Sequence, residues 1–256
     1  MQFGPLTLKR CRYGWMLFSG PFIGKCFDLY GEYSEAEVAL MRAFVREGDV
    51  VIDVGANIGD LTLPLAQMVG AKGRVYAVES HARHFNVLCA NLALNGIANT
   101  NPINAFVASS DQVDTASPVW GPNAFVSETW GASFMALDDL DLPSCRLIKV
   151  DVDGKELEVL MSAEMLIERF RPVLYVENDV REASPALIEF IQRKLGYRLY
   201  WHPAPIFRPD NFFGNPANHW EPRNIVSLMM LGLPAEMDAG HDQLSAVKGP
   251  QDWWQP

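Results

Sequence analysis

Residues 50–59 read V-V-I-D-V-G-A-N-I-G, and this stretch limits the possible folds most. Val50, Val51, Ile52 and Val54 form a short apolar run broken only by Asp53, and Gly55, Ala56, Asn57, Ile58 and Gly59 follow before a helix-like pattern begins. An apolar run of this length between turn residues reads as a strand buried on both faces. A buried strand that carries a carboxylate near its end, turns through glycines and enters a helix makes a ligand site. The glycines let backbone approach the ligand. The helix start presents unpaired N–H groups and a partial positive charge.

The rest of the chain repeats the strand-then-helix alternation. Strands are expected at Val50–Val54, Arg74–Val78, 102–108, 146–150, 173–176, 198–201 and 225–231. A capping box of Ser34 and Glu37 should open the helix before the first of them. Its apolar positions are Ala36, Ala39, Leu40, Ala43 and Phe44. Ile58, Leu61, Leu65, Ala66 and Val69 mark the next helix, where Pro64 predicts a kink or a delayed start. Phe85, Leu88, Cys89 and Leu92 mark another; residues 156–170 and the set Leu187, Ile188, Ile191 and Leu195 mark the rest. Such alternation predicts a three-layer α/β fold of about seven strands, mostly parallel, with an antiparallel hairpin at one edge. Residues 1–45 read as a cap segment and helix, 46–233 as the main domain with insertions at 109–134 and 202–224, and 234–256 as a polar tail. Most of the loop aromatics (Trp120, Trp130, Phe207, Phe212, Phe213, Trp220) are expected to pack beneath the insertions, leaving one or two for a ligand.

Composition excludes several partners. Lys and Arg number 21 against 31 Asp and Glu, a formal charge of -10. Nucleic acid and anionic membranes normally demand a basic patch, so neither is expected. Cys11, Cys26, Cys89 and Cys145 are scattered without a CxxC pair, which points to free thiols in a reducing, cytoplasmic setting. No run of 18 apolar residues is present. Oligomeric state stays open, with a homodimer as one option.

In parallel sheets ligands lie beyond the carboxyl ends of the strands. That rule gathers Asp53, Glu79, Asp151 and Glu177 along one edge. A dinucleotide would bring a pyrophosphate against Asp53, and the order D-x-G-x-x-x-G is not the G-x-G-x-x-G such ligands use. S-adenosylmethionine has no phosphate. Its ammonium suits Asp53, and its ribose hydroxyls suit Glu79, with Ser80 beside it.

The segments VIDVGANIGDLTLPLA, VYAVES, NVLCANLALN and LIKVDVDGKELEVL resemble the FkbM family of S-adenosylmethionine-dependent methyltransferases over roughly residues 28–201. The family motif K-x-D-x-[ED]-G-x-E is met by Lys149, Asp151, Asp153, Gly154 and Glu156, with Asp153 where Glu is common. The resemblance implies a Rossmann-like sheet, S-adenosyl-L-methionine as cofactor, S-adenosyl-L-homocysteine as product, and O-methylation of a small-molecule hydroxyl on a sugar or natural-product intermediate. Cofactor contacts are expected from Tyr30, Glu32, Asp53, Gly55, Ala56, Asn57, Gly59, Glu79, Ser80 and Asp151.

Transfer to a hydroxyl requires loss of its proton. Asp151 and Asp153 are the expected acceptors of that proton, Lys149 the residue that orients them, and Glu177 part of the acceptor pocket. If the strand continues, Lys149, Asp151 and Asp153 share one side. A purely structural ion-pair network of Lys149, Asp151 and Glu156 is an equal alternative. His202 and His219 are the histidines best placed to serve as a base. No metal is expected. N-methylation, a non-catalytic S-adenosylmethionine-binding subunit and a dinucleotide oxidoreductase are the competing readings.

Overall fold

The computed structural model describes residues 2–3, 5–108, 133–221, 226–237 and 243–255. The chain opens with β1 (Gln2–Phe3), β2 (Leu6–Cys11) and β3 (Gly14–Phe18), an antiparallel three-stranded sheet, then α1 (Ile23–Tyr30). Next is α2 (Glu35–Phe44). Its buried face is Glu37, Val38, Met41 and Phe44, and Ala39 and Ala43 are exposed. The apolar face expected from the alanines is therefore rotated, because burying the larger side chains gains more than burying alanine. The capping box does not form either. Ser34 lies at φ +45 and its hydroxyl donates to Glu37 Oε1 at 2.5 Å rather than to the backbone.

β4 (Val50–Val54) leads to α3 (Thr62–Val69) and β5 (Arg74–Val78). Pro64 sits in the first turn of α3, where its missing N–H has no intrahelical role. α4 (Ala82–Leu94) follows, then β6 (Thr100–Ile103) and β7 (Ala105–Val107). These two short strands replace the single strand expected over 102–108, and Asn104 separates them. β8 (Ser133–Met135) pairs in parallel with β7. The rest of the 109–134 insertion, Trp120 and Trp130 included, lies outside the described residues. β9 (Leu147–Val150), α5 (Glu156–Met161), α6 (Glu164–Phe170), β10 (Val173–Glu177) and α7 (Ser184–Glu189) continue the alternation. β11 (Tyr197–Pro205), β12 (Val226–Pro234) and β13 (Ser245–Ala246) complete it.

The main sheet has eight strands in the order β13, β11, β12, β10, β9, β4, β5, β6. β6, β5, β4, β9 and β10 run parallel. β12 runs against both β10 and β11, giving the antiparallel hairpin at one edge, and β13 adds a short outer strand from the tail. From β4 the chain builds outward through β5 and β6, then returns to build through β9 and β10. The ligand crevice of such a sheet opens where that order reverses, beyond β4 and β9.

Each central strand is apolar on both sides. Val51, Leu147, Val173 and Met229 face one core with α2, α3 and α4. Ile52, Ile148, Leu174 and Met230 face the other with α5, α6 and α7. Asn91 and Asn95 of α4 dock the N-terminal sheet. Asn91 Oδ1 accepts from Leu17 N at 2.7 Å and its Nδ2 donates to Leu17 O at 3.0 Å; Asn95 does the same with Trp15 at 2.8 and 2.7 Å. The two amides, one helical turn apart, take the place of a neighbouring strand along β3. At the opposite edge Trp253 and Trp254 of the tail pack partly buried against the second core. Among the described residues no helix is long and apolar enough to cross a membrane.

Candidate functional site

The glycine turn is stitched to the tip of β5. Gly55 N and Ala56 N both donate to Val78 O, at 2.9 and 3.0 Å. Gly55 sits at φ +77, and a Cβ there would lie 1.8 Å from Asp151 O, so only glycine fits. Asn57 takes a left-handed conformation at φ +49, which Asn tolerates better than most residues. Ala56 is buried, and Gly59 passes tightly against Leu63 and Leu88.

Glu79, at the end of β5, braces the turn. Its Oε2 accepts from Asn57 N at 2.8 Å and its Oε1 from His81 N at 2.7 Å. Burial raises its pKa, and the two amides oppose the rise. Each oxygen keeps a lone pair for a further donor. Asn104 Nδ2 donates to Glu79 O at 2.7 Å and Ser80 O at 3.1 Å, which fixes this corner from the far side.

Strand register sets Asp53, Lys149 and Tyr175 abreast across β4, β9 and β10, a polar row on an apolar sheet face. Lys149 Nζ lies 3.2 Å from Asp53 Oδ1 and 3.7 Å from Asp151 Oδ2, and donates to Gly55 O at 2.9 Å. Thr62 Oγ1 donates to Asp53 Oδ2 at 2.6 Å. Burial alone would lower the pKa of Lys149. Asp53, Asp151, Asp60 and Glu37 outweigh it and raise the pKa instead. Asp53 is fully buried and committed to Lys149 and Thr62. The expected contact between Asp53 and a donor ammonium is therefore closed off, because a buried lysine already occupies that carboxylate.

Asp151 stands just beyond β9 with its side chain 33% open. Glu177, at the end of β10, lies beside it; burial first, then the nearby Asp151, raise the Glu177 pKa. Asp153 does not join them. The strand stops at Val150, the backbone of Asp153 turns to φ +52, and its side chain is exposed. The alternation that would align it with Lys149 ends with the strand. Glu156 clasps the same loop, its Oε1 accepting from Val152 N at 3.1 Å and Gly154 N at 3.0 Å.

Tyr30 and Glu32 also have other partners. Tyr30 OH donates to Ala217 O at 3.1 Å and accepts from His219 N at 2.9 Å. Glu32 accepts from Arg12 at 2.6 Å and from Phe212 N at 2.7 Å. Both are buried and moor residues 206–221 onto the N-terminal segment instead of lining an open cleft. Phe207 packs on Tyr30 in the same way.

Four side chains join the site without having been singled out from sequence. Glu37, from α2, is 1% exposed. Its Oε2 has no hydrogen bond, with Ser227 and Tyr175 as polar neighbours. Burial pushes its pKa up to about 7. Asp60 follows Gly59; its Oδ1 is buried without a hydrogen bond, and burial pushes its pKa up to about 8. Burial first, then the charges of Asp60, Glu37 and Asp151, raise the Tyr33 pKa. Tyr175 OH shares a 2.7 Å hydrogen bond with His202 Nδ1, and burial lowers His202 to about 4, so the imidazole is neutral at neutral pH. One sequence signal marks Glu37: it is an acid spaced i, i+4, i+7 with Met41 and Phe44, on a helix face that should be apolar. Among the described residues no group of three or more His, Cys, Asp or Glu side chains is arranged to hold a metal.

The arrangement is an acid-rimmed glycine turn at the point where the strand order reverses, with a second-strand carboxylate beside it. Residues 53–199 match the family model of the methyltransferase FkbM domain, more than half of the chain. This chain belongs to the FkbM methyltransferase family. Many solved structures share the fold of this chain, two methyltransferases among them. A SAM-dependent O-methyltransferase from Thermotoga maritima superposes with a TM-score of 0.53 at 14% identity, covering 92% of this chain and 80% of that one. A precorrin-6y C5,15-methyltransferase from Geobacter metallireducens gives 0.52 at 15% identity, covering 79% and 87%. A curated relative, the tRNA(Phe) (4-demethylwyosine(37)-C(7)) aminocarboxypropyltransferase of Methanocaldococcus jannaschii, is 38% identical over 78 residues. That stretch is 30% of this chain and 31% of the relative's length.

Proposed function

We propose that this FkbM methyltransferase methylates a hydroxyl group of a small molecule, a sugar or a natural-product intermediate, in the cytoplasm. The observation that carries the reading is Asp151. Its carboxylate is 33% open beside the glycine turn, whereas Asp53 and Lys149 behind it are closed, at 0% and 3%. An open carboxylate held by a lysine on one side and an acid on the other suits removal of a hydroxyl proton.

S-adenosylmethionine fits the residues present. Glu79 offers two fixed acceptor oxygens for a diol. Buried carboxylate oxygens without hydrogen bonds, on Glu37 and Asp60, suit a cationic ligand. When bound, the donor supplies an activated methyl on a sulfonium. Gly55, Ala56 and Asn57 would cradle it, Glu79 would hold the ribose, and Lys149 keeps the turn in shape. Asp151 accepts the hydroxyl proton and Glu177 shapes the acceptor side. The main contribution expected of the protein is alignment of the acceptor oxygen with the methyl.

A line of aromatic rings supports a sugar or ring-shaped acceptor. Tyr33, whose pKa the charges of Asp60 and Asp151 raise, packs edge-on against Phe22 at 6.2 Å, and Phe22 against Trp220 at 5.3 Å. Phe22 is 38% exposed. The rings lead from the acid rim to the surface. The net charge of -10 weighs against a nucleic-acid acceptor.

The test has two parts. Calorimetry with S-adenosylhomocysteine should give binding by the intact protein. Methyl-labelled S-adenosylmethionine should then label compounds from a panel of sugars and polyketide alcohols, and Asp151→Asn should lower turnover far more than donor affinity. Labelling of amines alone would overturn the hydroxyl reading.

A further inference from the structure

A cavity of about 290 Å³ lies between the start of α5, the end of β10 and α7. Gly154 and Leu157 form one wall; Asn178, Val180, Ala183 and Leu187 form the other. Among the described residues that line it, none belongs to the glycine turn. Its position is still tied to the proposed reaction. Gly154 lies three residues beyond Asp151, and Asn178 directly follows Glu177. The loop between β9 and α5 therefore has a ligand surface at each end. Its Asp151 carbonyl meets the glycine turn at Gly55, and at its other end a Cβ on Gly154 would lie 3.1 Å from Val180 Cγ2.

The walls are carbon apart from one fixed amide. Val180 is 36% exposed, and Leu157 and Ala183 are half-buried, so this apolar surface is left partly uncovered by the fold. The charged chains of the lining are already spent. Lys155 Nζ lies 3.0 Å from Glu158 Oε1, and Glu156 Oε1 accepts from Val152 N and Gly154 N. Asn178 is 2% exposed. Its Nδ2 donates to Ser184 Oγ at 2.9 Å and to Met230 Sδ at 3.3 Å, which uses both hydrogens. Its backbone N donates to Leu228 O at 2.9 Å. The amide is thus held in one orientation, and no described residue donates to its Oδ1. Apolar walls with one fixed polar group are the usual make-up of a small-molecule site. A fixed acceptor without a donor favours a ligand that brings one.

We propose that this cavity seats an uncharged, mainly apolar ring or chain of the methyl acceptor, which gives a hydrogen bond from a hydroxyl or an amide N–H to Asn178 Oδ1. The inference rests on the reading of Asp151 as the base beside which a hydroxyl is methylated. At the packing density of protein interiors the cavity holds roughly ten to twelve non-hydrogen atoms, the size of two fused six-membered rings. A sugar of that size carries a hydroxyl on almost every carbon, and each would need a partner that carbon walls do not supply. Between a free sugar and a natural-product alcohol with an apolar body, the cavity favours the second.

Naphthol, naphthalene and methyl glucoside are the probes, each added to the full chain with and without S-adenosylhomocysteine and followed by ligand-observed nuclear magnetic resonance. Naphthol should bind, naphthalene should bind about tenfold or more weakly, and methyl glucoside should not bind measurably. Ala186 lines the cavity from an exposed position on α7, so Ala186→Leu fills the space without entering the core. That variant should weaken naphthol about tenfold and leave S-adenosylhomocysteine affinity within about twofold. Asn178→Leu should erase the preference for naphthol over naphthalene; if this buried variant does not fold, Ala186→Leu decides alone. Unchanged naphthol affinity in Ala186→Leu, or binding of the glucoside in place of naphthol, would overturn the proposal. With methyl-labelled S-adenosylmethionine, ring-bearing alcohols should be labelled, with a KM that Ala186→Leu raises. Labelling of sugars alone would also overturn it. Naphthol held in the cavity by a protein that does not bind S-adenosylhomocysteine would instead overturn the donor assignment and uphold the cavity as a ligand site.

Discussion

Gly55 and Asp151 meet backbone to backbone: a Cβ on Gly55 would lie 1.8 Å from the Asp151 carbonyl oxygen. The glycine turn after the first parallel strand and the loop after the fourth thus form one surface. Gly55→Ala must push them apart and also force alanine to φ +77. The expected result is a loss of about 3 kcal/mol or more of stability and no detectable S-adenosylhomocysteine binding. Urea unfolding and calorimetry read the two effects; a variant that binds as well as the parent would show that the contact does not matter.

Lys149→Met removes, among the described residues, the cation paired with a buried ring of carboxyls. Breaking such a pair from one side costs about 3–5 kcal/mol, because the partner charges stay buried. Adding Asp53→Asn should recover part of the loss, so the double variant should be more stable than the sum of the singles predicts. Strict additivity in urea midpoints would mean the two residues are not coupled.

Glu79→Gln keeps the shape of the side chain and halves its acceptor capacity. The amide nitrogen cannot accept from Asn57 N or His81 N, so one brace of the turn is lost. S-adenosylhomocysteine affinity should fall about tenfold or more. Binding within error of the parent would remove Glu79 from the ribose site.

The ligand-free protein should be less stable at alkaline pH than near pH 6. Folded Glu37 and Asp60 titrate at about 7 and about 8, above their ordinary values of 4.5 and 3.8. Between those limits the folded state holds more protons than the unfolded one, so their contribution falls as pH rises from about 5 to about 8. His202 acts on the acid side: held at about 4 against an ordinary 6.5, it makes stability fall as pH drops through that window. Urea midpoints should therefore fall from about pH 5 to about pH 8, with His202 offsetting only part of the fall below about pH 6.5, and Glu37→Gln should make the fall shallower. An unchanged alkaline slope in Glu37→Gln would show that Glu37 does not contribute to it.

The proposed donor half of the site is legible in the sequence because it is local. Val50–Val54, the glycines and Glu79 fall within one strand–helix–strand unit, and their order alone separates a pyrophosphate from a methionine-tailed nucleoside. What stays hidden depends on register and on contacts between distant segments. Nothing near Lys149 in sequence says that it sits abreast of Asp53 and Tyr175; that follows from how three strands slide against one another. Ser34 and Glu37 have the spacing of a capping box, yet their hydrogen bond runs side chain to side chain within a buried acid cluster. Tyr30 and Glu32 look like donor contacts until residues 206–221 fold back and take their hydrogen-bonding groups. Asp60 lies inside the most readable segment and is still easy to pass over, since its chemistry depends on Lys149 being already committed.

The reversed strand β12 governs where acceptor preference can change. β11 runs parallel to β10 and so delivers the chain to the ligand edge, and β12 must start from that edge to return. The connection between them, which includes residues 206–221, is therefore anchored at both ends on the side of the glycine turn, where methyl transfer is proposed. Lengthening or recomposing it leaves the ladder of β4, β5, β9 and β10 untouched. One half of the molecule can be held constant for the donor while the other is rewritten for a new acceptor.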